Sequence, residues 1–220
     1  MIVKNGVIVL VEVVVGNDGE DEDGGGTTGG VGDSGDVAAS FQDPSKSLAQ
    51  AIAIFYASDP LIPISLFIDC AVLRVPILYG QIETVEESAV TVLYNTLMNR
   101  EKTDLVDDCC TRCPTHVDDI AVVCRQMCER WKTDPQKLNG VFHWCGSEFM
   151  TKYTMITTLA NAFNLPHDHL KPNPIQPTGG TLRPKDCSMD RSKLEALGIG
   201  QTTPFKEGIH KVMEPFVTSQ

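Results

Sequence analysis

Four of the eight cysteines in this sequence fall at spacings that zinc sites use. Cys110 and Cys113 form a Cys-x-x-Cys pair, and Cys124 and Cys128 stand four residues apart, which on a helix places both on one face. Four thiolates in two such pairs can bind zinc tetrahedrally. However, the 10 residues between the pairs are not a usual zinc spacing. We therefore interpret the first pair as an incidental loop cluster and the second as small apolar residues of a helix, and we predict no metal site.

A Gly-x-Gly-x-x-Gly sequence, typical of the turn that holds a dinucleotide, occurs at Gly30–Gly35. That turn must directly follow a strand and open a helix, because the N–H groups and dipole of the helix N-terminus bind the pyrophosphate. Here it lies about fifteen residues beyond the apolar run Gly6–Val15. It also contains Asp33 and follows an acidic stretch, and both would repel a phosphate. We interpret residues 16–36 as a low-complexity acidic and Gly-rich loop.

Two apolar runs predict strands of a parallel sheet. Gly6–Val15 is strongly β-prone, and Cys70–Val75 is nearly continuously apolar but too short for a helix. Pro76 cannot donate a ladder hydrogen bond, so we expect an exit loop over Pro76–Gly80. Ligands of open α/β sheets lie beyond the carboxyl ends of the strands. This loop is therefore the place where we expect a ligand to be bound.

The rest of the chain alternates helices with short strands and one polar loop, Arg100–Cys113. Strands are expected at Pro114–Val117 and Gly140–Trp144. The predicted helices are Thr84–Met98, one capped by Asp118 and Asp119 that runs to about Trp131, Thr151–Phe163, a short one capped by Asp190 or Ser192 and ended by Gly198, and a last one that begins at Thr203-Pro204. The apolar stripe of the last helix comprises Phe205, Ile209, Val212, Met213 and Phe216.

Composition excludes several classes of partner. The formal net charge of −11 argues against nucleic acid and against anionic membrane surfaces. No apolar run approaches the roughly 18 residues that span a bilayer. Met1–Val15 is interrupted by Glu12 and no small-residue cleavage site follows, which argues against a signal peptide. A chain of 220 residues with an ordinary core needs no disulfide scaffold, so we expect reduced thiols and a cytoplasmic protein.

Six segments between residues 73 and 209 resemble one known family. They read LRVPILYG, EESAVTVLYNTL, PTHVDDIAVVCRQ, GVFHWCGSEFMTKY, ANAFNLPHDHLKP and RPKDCSMDRSKLEALGIGQTTPFKEGI. In this order they are similar to the C-terminal half of the regulatory beta subunits of methionine adenosyltransferase. Those proteins belong to the extended short-chain dehydrogenase/reductase group and are similar to dTDP-4-dehydrorhamnose reductase. The resemblance runs from about Cys70 to Phe216, and residues 1–69 do not share it.

The resemblance implies an α/β fold, in which a partial NAD(P)-binding Rossmann-like sheet is joined to a small α/β domain of the substrate-binding type. We divide the chain into an atypical N-terminus, residues 1–69, which contains the loop 16–36, and an RmlD-like substrate-binding region, residues 70–220. A complete dinucleotide domain of this family needs about twice the length found before the strand at residues 70–75.

Catalysis in this group depends on a Tyr-x-x-x-Lys pair, in which the lysine lowers the pKa of the tyrosine so that it can relay a proton. Tyr56 precedes the strand, but Pro60 stands where the lysine would be, and the other three tyrosines also lack a lysine at that spacing. We therefore expect no catalytic residues and no hydride transfer. The resemblance places Leu78 against the nicotinamide of NADP, although the displaced Gly motif argues against binding of that cofactor.

The resemblance also implies two further sites. Arg183 precedes the short helix on the side that faces the substrate in nucleotide-sugar relatives, where its guanidinium suits a phosphate; the alternative is an exposed loop arginine. Pro215 and Phe216 lie where the family's C-terminal segment inserts into the catalytic alpha subunit. Phe216 alternatively packs on the core, as such stripes commonly do.

The function that follows from the resemblance is that of a non-catalytic regulatory subunit, which binds the methionine adenosyltransferase catalytic subunit and modulates S-adenosylmethionine synthesis. One alternative is an NADP-dependent nucleotide-sugar reductase of the dTDP-4-dehydrorhamnose type. The missing Tyr-x-x-x-Lys pair argues against it. Another is a truncated, inactive product, which the low-complexity N-terminus favours.

Overall fold

A computed structural model describes residues 2–4, 7–13, 71–175 and 184–217. The strands are β1 (Ile2–Lys4), β2 (Val7–Val13), β3 (Ala71–Val75), β4 (Leu78–Tyr79), β5 (Asp104–Asp107), β6 (Thr115–His116), β7 (Gly140–His143) and β8 (Leu170–Asn173). The α-helices are α1 (Leu93–Met98), α2 (Val117–Thr133), α3 (Lys152–Ala162), α4 (Ser192–Glu195) and α5 (Phe205–Val217). Short 3-10 turns lie at Val85–Glu87 and Pro135–Leu138.

The central sheet has four strands in the order β1-β2-β3-β7. β2, β3 and β7 are parallel, and β1 pairs antiparallel with β2. The strands predicted at 6–15, 70–75 and 140–144 are thus confirmed, with ends that differ by one or two residues. Because the three parallel strands point the same way, their carboxyl ends share one edge of the sheet. The loops that follow β3 and β7 therefore meet at that edge.

Two short parallel pairs flank this sheet, β4 with β6 and β5 with β8. β5 corrects the prediction of a loop over Arg100–Cys113. Its register with β8 runs from Asp104↔Leu170 to Asp107↔Asn173, and Val106 is the β5 residue that is buried. One inward side chain gives no alternation in the sequence, so only the pairing itself defines this strand.

The predicted helix Thr84–Met98 is wrong in its first half, where a 3-10 turn and an extended residue replace it. Glu87 accepts hydrogen bonds from the backbone N–H of Glu83 at 2.9 Å and of Thr84 at 2.7 Å. Ser88 is extended, and its hydroxyl donates to the Leu78 carbonyl at 3.1 Å. Serine side chains compete with helical bonding in this way, so the α-helix begins only at Leu93.

The long helix α2 is confirmed, but its cap is not an aspartate. His116 is the N-cap, and its Nδ1 accepts a hydrogen bond from the Asp118 N–H at 3.2 Å. Asp119 instead turns inward, where it is buried. The predicted inward face is confirmed by the burial of Ile120, Val123, Cys124 and Met127. The pattern locates the helix well because the apolar period is long, whereas capping by histidine has no strong sequence signal.

The last three helices agree with the predictions. Thr151 is the N-cap of α3 and its hydroxyl accepts from the Thr154 N–H at 3.1 Å. The Asp190 carboxylate accepts from the Ser192 N–H at 2.9 Å, although the formal cap of α4 is Arg191. Gly198 has φ +70°, the left-handed conformation that ends a helix. α5 begins one residue after Pro204.

Two clusters of buried side chains form the core. The first, between the central sheet and α2, includes Leu73, Met127, Phe142, Trp144 and Leu194. The second joins α1, α3 and α5 and includes Tyr79, Leu97, Ile156, Phe205 and Met213. The loop after β3 contributes to both, because Ile77 and Tyr79 belong to the second cluster while Leu78 packs against the first. Alternation along an extended segment accounts for this division.

Candidate functional site at the carboxyl edge of the sheet

The loop after β3 is held by a backbone ladder rather than left free. Leu78 and Tyr79 pair in parallel with Thr115 and His116, and the Thr115 N–H donates to the Ile77 carbonyl at 3.1 Å. Leu78 is half-buried and packs against the first core cluster. The candidate cofactor residue therefore has core contacts of its own, and the structure leaves its role toward NADP as a prediction.

The Thr115 hydroxyl connects this loop to the one that follows β7. It donates to the Cys113 carbonyl at 2.9 Å and accepts from the Gly146 N–H at 2.8 Å. Thr115 is fully buried, with 1% of its surface exposed. A Cβ on Gly146 would lie 2.5 Å from the Pro114 carbonyl oxygen, so only glycine allows this close approach. The two exit loops are thus fixed against each other at the sheet edge.

A guanidinium lies at the same edge. Arg191 stacks over the Trp144 ring, 5.3 Å from its centroid, and donates from Nη1 to the Cys145 carbonyl at 3.3 Å. Its Nη2 also lies 3.3 Å from Oε1 of Glu195. Trp144 is anchored in turn, since its Nε1 donates to the Gln201 carbonyl at 2.9 Å. Sequence reasoning missed Arg191, because stacking on an aromatic ring 47 residues away leaves no local pattern.

Arg183, the residue that the sequence proposes for the substrate pocket, lies outside the described residues, as do Cys70, the Gly30–Gly35 motif and Tyr56. Pro215 and Phe216 are described. Both lie in the last turns of α5, where Pro215 is exposed and Phe216 is half-buried against the second core cluster. Their contact with a catalytic subunit stays a prediction.

His116 and Tyr79 form a buried polar pair beneath the edge. Their rings meet edge to face, with centroids 5.2 Å apart, and 5% and 1% of their surfaces are exposed. Burial lowers the pKa of His116, and Nδ1 must be unprotonated to cap α2. Burial also raises the pKa of Tyr79 well above its usual value. Within the described residues the Tyr79 hydroxyl has no hydrogen-bond partner.

Carboxylates fasten the start of α5 to this site. The Asp119 oxygens accept from the Thr203 N–H at 2.7 Å and from the Thr203 hydroxyl at 2.8 Å. Glu148 accepts a hydrogen bond from the Phe205 N–H. Negative charge at a helix N-terminus complements its dipole and its unpaired N–H groups. These contacts place α5 against Tyr79 and His116, with Gly208 close enough to the Tyr79 hydroxyl that no Cβ would fit without movement.

The cysteine pairs considered as zinc ligands lie in different surroundings. Cys124 and Cys128 are buried in α2 within the first core cluster. Cys113 instead lies near Cys145 and Cys187. Across residues 2–4, 7–13, 71–175 and 184–217, no group of three or more His, Cys, Asp or Glu side chains is arranged to hold a metal ion.

The structure describes part of the region in which the family resemblance places a dinucleotide. The described residues include the carboxyl ends of the parallel strands and the Leu78 loop, where that resemblance places the nicotinamide. A phosphate cradle requires a Gly-rich turn and a helix N-terminus directly after the first parallel strand. The residues after β2 lie outside the described part of the chain, so NADP binding stays a prediction.

Comparison with known protein families decides the relationship. Residues 65–218 match the profile of the RmlD substrate binding domain, which is well over half of the chain. The chain belongs to the RmlD substrate-binding domain family. The carboxyl edge of the sheet, α2 and α5 therefore all lie within an RmlD substrate-binding domain. No helix in the described parts of the domain is long and apolar enough to cross a membrane.

Curated relatives of this RmlD domain are named methionine adenosyltransferase 2 subunit beta, which confirms the resemblance. The proteins of Mus musculus and Rattus norvegicus are each 50% identical over 147 residues, 67% of this chain and 44% of theirs. That of Xenopus laevis is 47% identical over 150 residues, 68% of this chain and 45% of its own length. The chain thus spans less than half the length of these relatives.

Solved structures confirm the α/β fold. The dTDP-4-dehydrorhamnose reductase of Bacillus anthracis in complex with NADP has a TM-score of 0.54 at 19% identity, over 69% of this chain and 50% of that protein. The ortholog from Clostridium acetobutylicum gives 0.55 at 17% identity, over 67% and 49%. At such identities the likeness concerns the fold alone.

Proposed function

We propose that this chain acts as a non-catalytic regulatory subunit of methionine adenosyltransferase, which binds the catalytic subunit and modulates S-adenosylmethionine synthesis in the cytoplasm. The observation that carries the proposal is the 50% identity over 147 residues to proteins named as the beta subunit of that enzyme. That identity covers 67% of this chain, which supports a shared role.

The burial and the raised pKa of Tyr79 favour a binding role over reductase chemistry. It is the tyrosine of the carboxyl-edge loop, and its hydroxyl is buried against Gly208 with a raised pKa. A proton relay in this group needs a tyrosine whose pKa is lowered by a lysine four residues on, and Glu83 occupies that position here. The described tyrosine at the edge is therefore suited to packing.

Cofactor and substrate contacts remain subsidiary to this role. The solved reductase of Bacillus anthracis is in complex with NADP, and Leu78 lies on the loop that would face a nicotinamide. Arg183 is our proposed contact for the phosphate of a sugar nucleotide. Because the Gly30–Gly35 motif lies about fifteen residues beyond the first apolar run and contains Asp33, we propose that formation of the complex does not depend on NADP.

Pro215 and Phe216 are the proposed contacts with the catalytic subunit. Phe216 is half-buried against the second core cluster, so part of its surface remains exposed to a partner. Phe216→Ala should weaken the complex at least tenfold, since a buried aromatic anchor in an interface contributes about 2 kcal/mol or more. Tyr153→Ala is the matched control, because Tyr153 is another half-buried ring on the same cluster. Equal affinity of the two variants would remove Phe216 from the interface.

Co-purification tests the proposal. The tagged chain is mixed with the catalytic subunit of methionine adenosyltransferase from the same organism, with and without NADP. The molecular mass of the eluted complex is then measured by sedimentation. We expect a stoichiometric complex under both conditions. A folded chain that binds no catalytic subunit in either condition would contradict the regulatory role.

A further inference from the structure

Three cysteines from separate segments of the chain converge beside the carboxyl edge. Cys113 precedes β6, Cys145 follows β7, and Cys187 lies five residues before α4. The thiols of Cys113 and Cys145 are neighbours, and each shifts the pKa of the other. Sγ of Cys113 also lies 3.9 Å from the Cys187 carbonyl oxygen, and Sγ of Cys145 lies 3.7 Å from the Met189 carbonyl oxygen.

The close approach of the first two thiols is built into the backbone. The Thr115 hydroxyl bonds both the Cys113 carbonyl and the Gly146 N–H, so each cysteine lies one or two residues from a common anchor. The two cysteines are 0% and 1% exposed, whereas Cys187 is partly exposed. Two buried thiols that are held as neighbours in this way are arranged to react with each other.

The two thiols lie in different surroundings, which makes one of them a proton donor and the other a nucleophile. The neighbouring Cys113 thiol, aided by the Arg191 guanidinium, lowers the pKa of Cys145 to about 7. The neighbouring Cys145 thiol and burial raise the pKa of Cys113. Cys124, buried in α2, shows the contrast, because burial raises its pKa to about 12 and leaves it inert. The thiolate is the reactive form of cysteine, so Cys145 is the side chain that reacts first.

We propose that Cys113 and Cys145 are a peroxide-sensitive thiol pair, which forms a disulfide on oxidation. The oxidant is hydrogen peroxide, which is small and uncharged and can reach a thiol through a brief opening of the segment 186–190. This modification is independent of the proposed regulatory function.

The reaction balances in two steps. The Cys145 thiolate attacks one peroxide oxygen, the O–O bond breaks, and hydroxide leaves as Cys145 becomes a sulfenic acid. The Cys113 sulfur then attacks the Cys145 sulfur, its thiol proton leaves with the sulfenic hydroxyl as water, and the S–S bond forms. In total, two thiols lose two electrons to one peroxide, which yields the disulfide and two waters.

Mass spectrometry of the peroxide-treated chain tests the proposal. After free thiols are blocked, tryptic digestion without reduction places Cys145 in peptide 138–152, Cys113 with Cys124 in peptide 113–125, and Cys187 in peptide 186–191. We expect a linked pair of 113–125 with 138–152. The link should persist in Cys124→Ala, disappear in Cys113→Ser and in Cys145→Ser, and be reversed by dithiothreitol.

A dominant link between 113–125 and 186–191 would overturn the pair. So would full alkylation of Cys113 and Cys145 after peroxide.

Discussion

Replacement of Thr115 by valine removes a hydroxyl that ties together the two exit loops of the sheet. Valine has the same shape, so the substitution changes hydrogen bonding and leaves no cavity. In the structure this hydroxyl donates to the Cys113 carbonyl at 2.9 Å and accepts from the Gly146 N–H at 2.8 Å. Since Thr115 is 1% exposed, solvent cannot replace either bond.

The expected loss of stability comes from the Cys113 carbonyl and the Gly146 N–H, which stay buried after their hydrogen-bond partner is removed. A buried donor or acceptor that loses its partner costs about 1–3 kcal/mol. Burial of the added methyl group returns about 1 kcal/mol. Thr115→Val should therefore lower the free energy of unfolding by about 1–5 kcal/mol. At an m-value of about 2 kcal/mol/M in urea, the midpoint moves down by about 0.5–2.5 M.

Urea unfolding followed by far-UV circular dichroism measures the effect. Thr158→Val is the control, because the Thr158 hydroxyl donates only to the Thr154 carbonyl of its own helix, at 2.7 Å, and the residue is half-buried. It should change stability by no more than about 0.5 kcal/mol. A Thr115→Val chain as stable as the control would refute the account of how the exit loops are fixed.

Three further substitutions test the polar groups beneath the edge. Tyr79→Phe should raise the free energy of unfolding by about 1 kcal/mol in the same assay, because it removes a buried hydroxyl to which no described residue is hydrogen-bonded. A loss of stability would contradict this. The control Tyr153→Phe, at a half-buried site, should have little effect. His116→Asn should make stability nearly independent of pH between pH 7 and pH 5. Burial lowers the pKa of His116, so the contribution of the neutral histidine to stability is complete above the unfolded pKa of about 6.5 and is lost as pH falls below it. Asparagine can still accept the hydrogen bond from the Asp118 N–H that caps α2. A wild-type chain with no decline across this range would count against a neutral, buried histidine. Asp119→Ala should lower the free energy of unfolding by about 2–3 kcal/mol in thermal unfolding, since two charge-assisted hydrogen bonds to the start of α5 are lost. Surface substitutions ordinarily change stability by up to about 0.5 kcal/mol, so a change below that value would show that other contacts hold α5.

The sequence predicts those elements whose residue pattern continues along one stretch of the chain. Helix α2 has four turns of apolar period, and α3 combines such a period with a Thr151 cap, so both are located to within two residues. β3 is recognised because it is a continuous apolar run bounded by Pro76. The family resemblance adds the architecture, since pairing between strands far apart in sequence is not encoded locally.

What the sequence does not predict depends on contacts across the fold. β5 has one buried residue and is defined by its pairing with β8. The break in the helix at Ser88 follows from its hydrogen bond to the Leu78 carbonyl. Likewise, Arg191 enters the site by stacking on Trp144, and Cys113 meets Cys145 only because Thr115 and Gly146 join two loops. None of these partners is visible from residue type and spacing alone.

The central claim is regulation without catalysis, and a titration tests it most directly. The rate of S-adenosylmethionine formation by the methionine adenosyltransferase catalytic subunit is measured as this chain is added, and NADPH oxidation by the chain alone is followed in parallel. We predict that the kcat or KM of the synthase changes and saturates at a fixed stoichiometry, with no NADPH consumed. An unchanged synthase rate at saturating chain, or turnover of NADPH with a nucleotide sugar, would contradict the account.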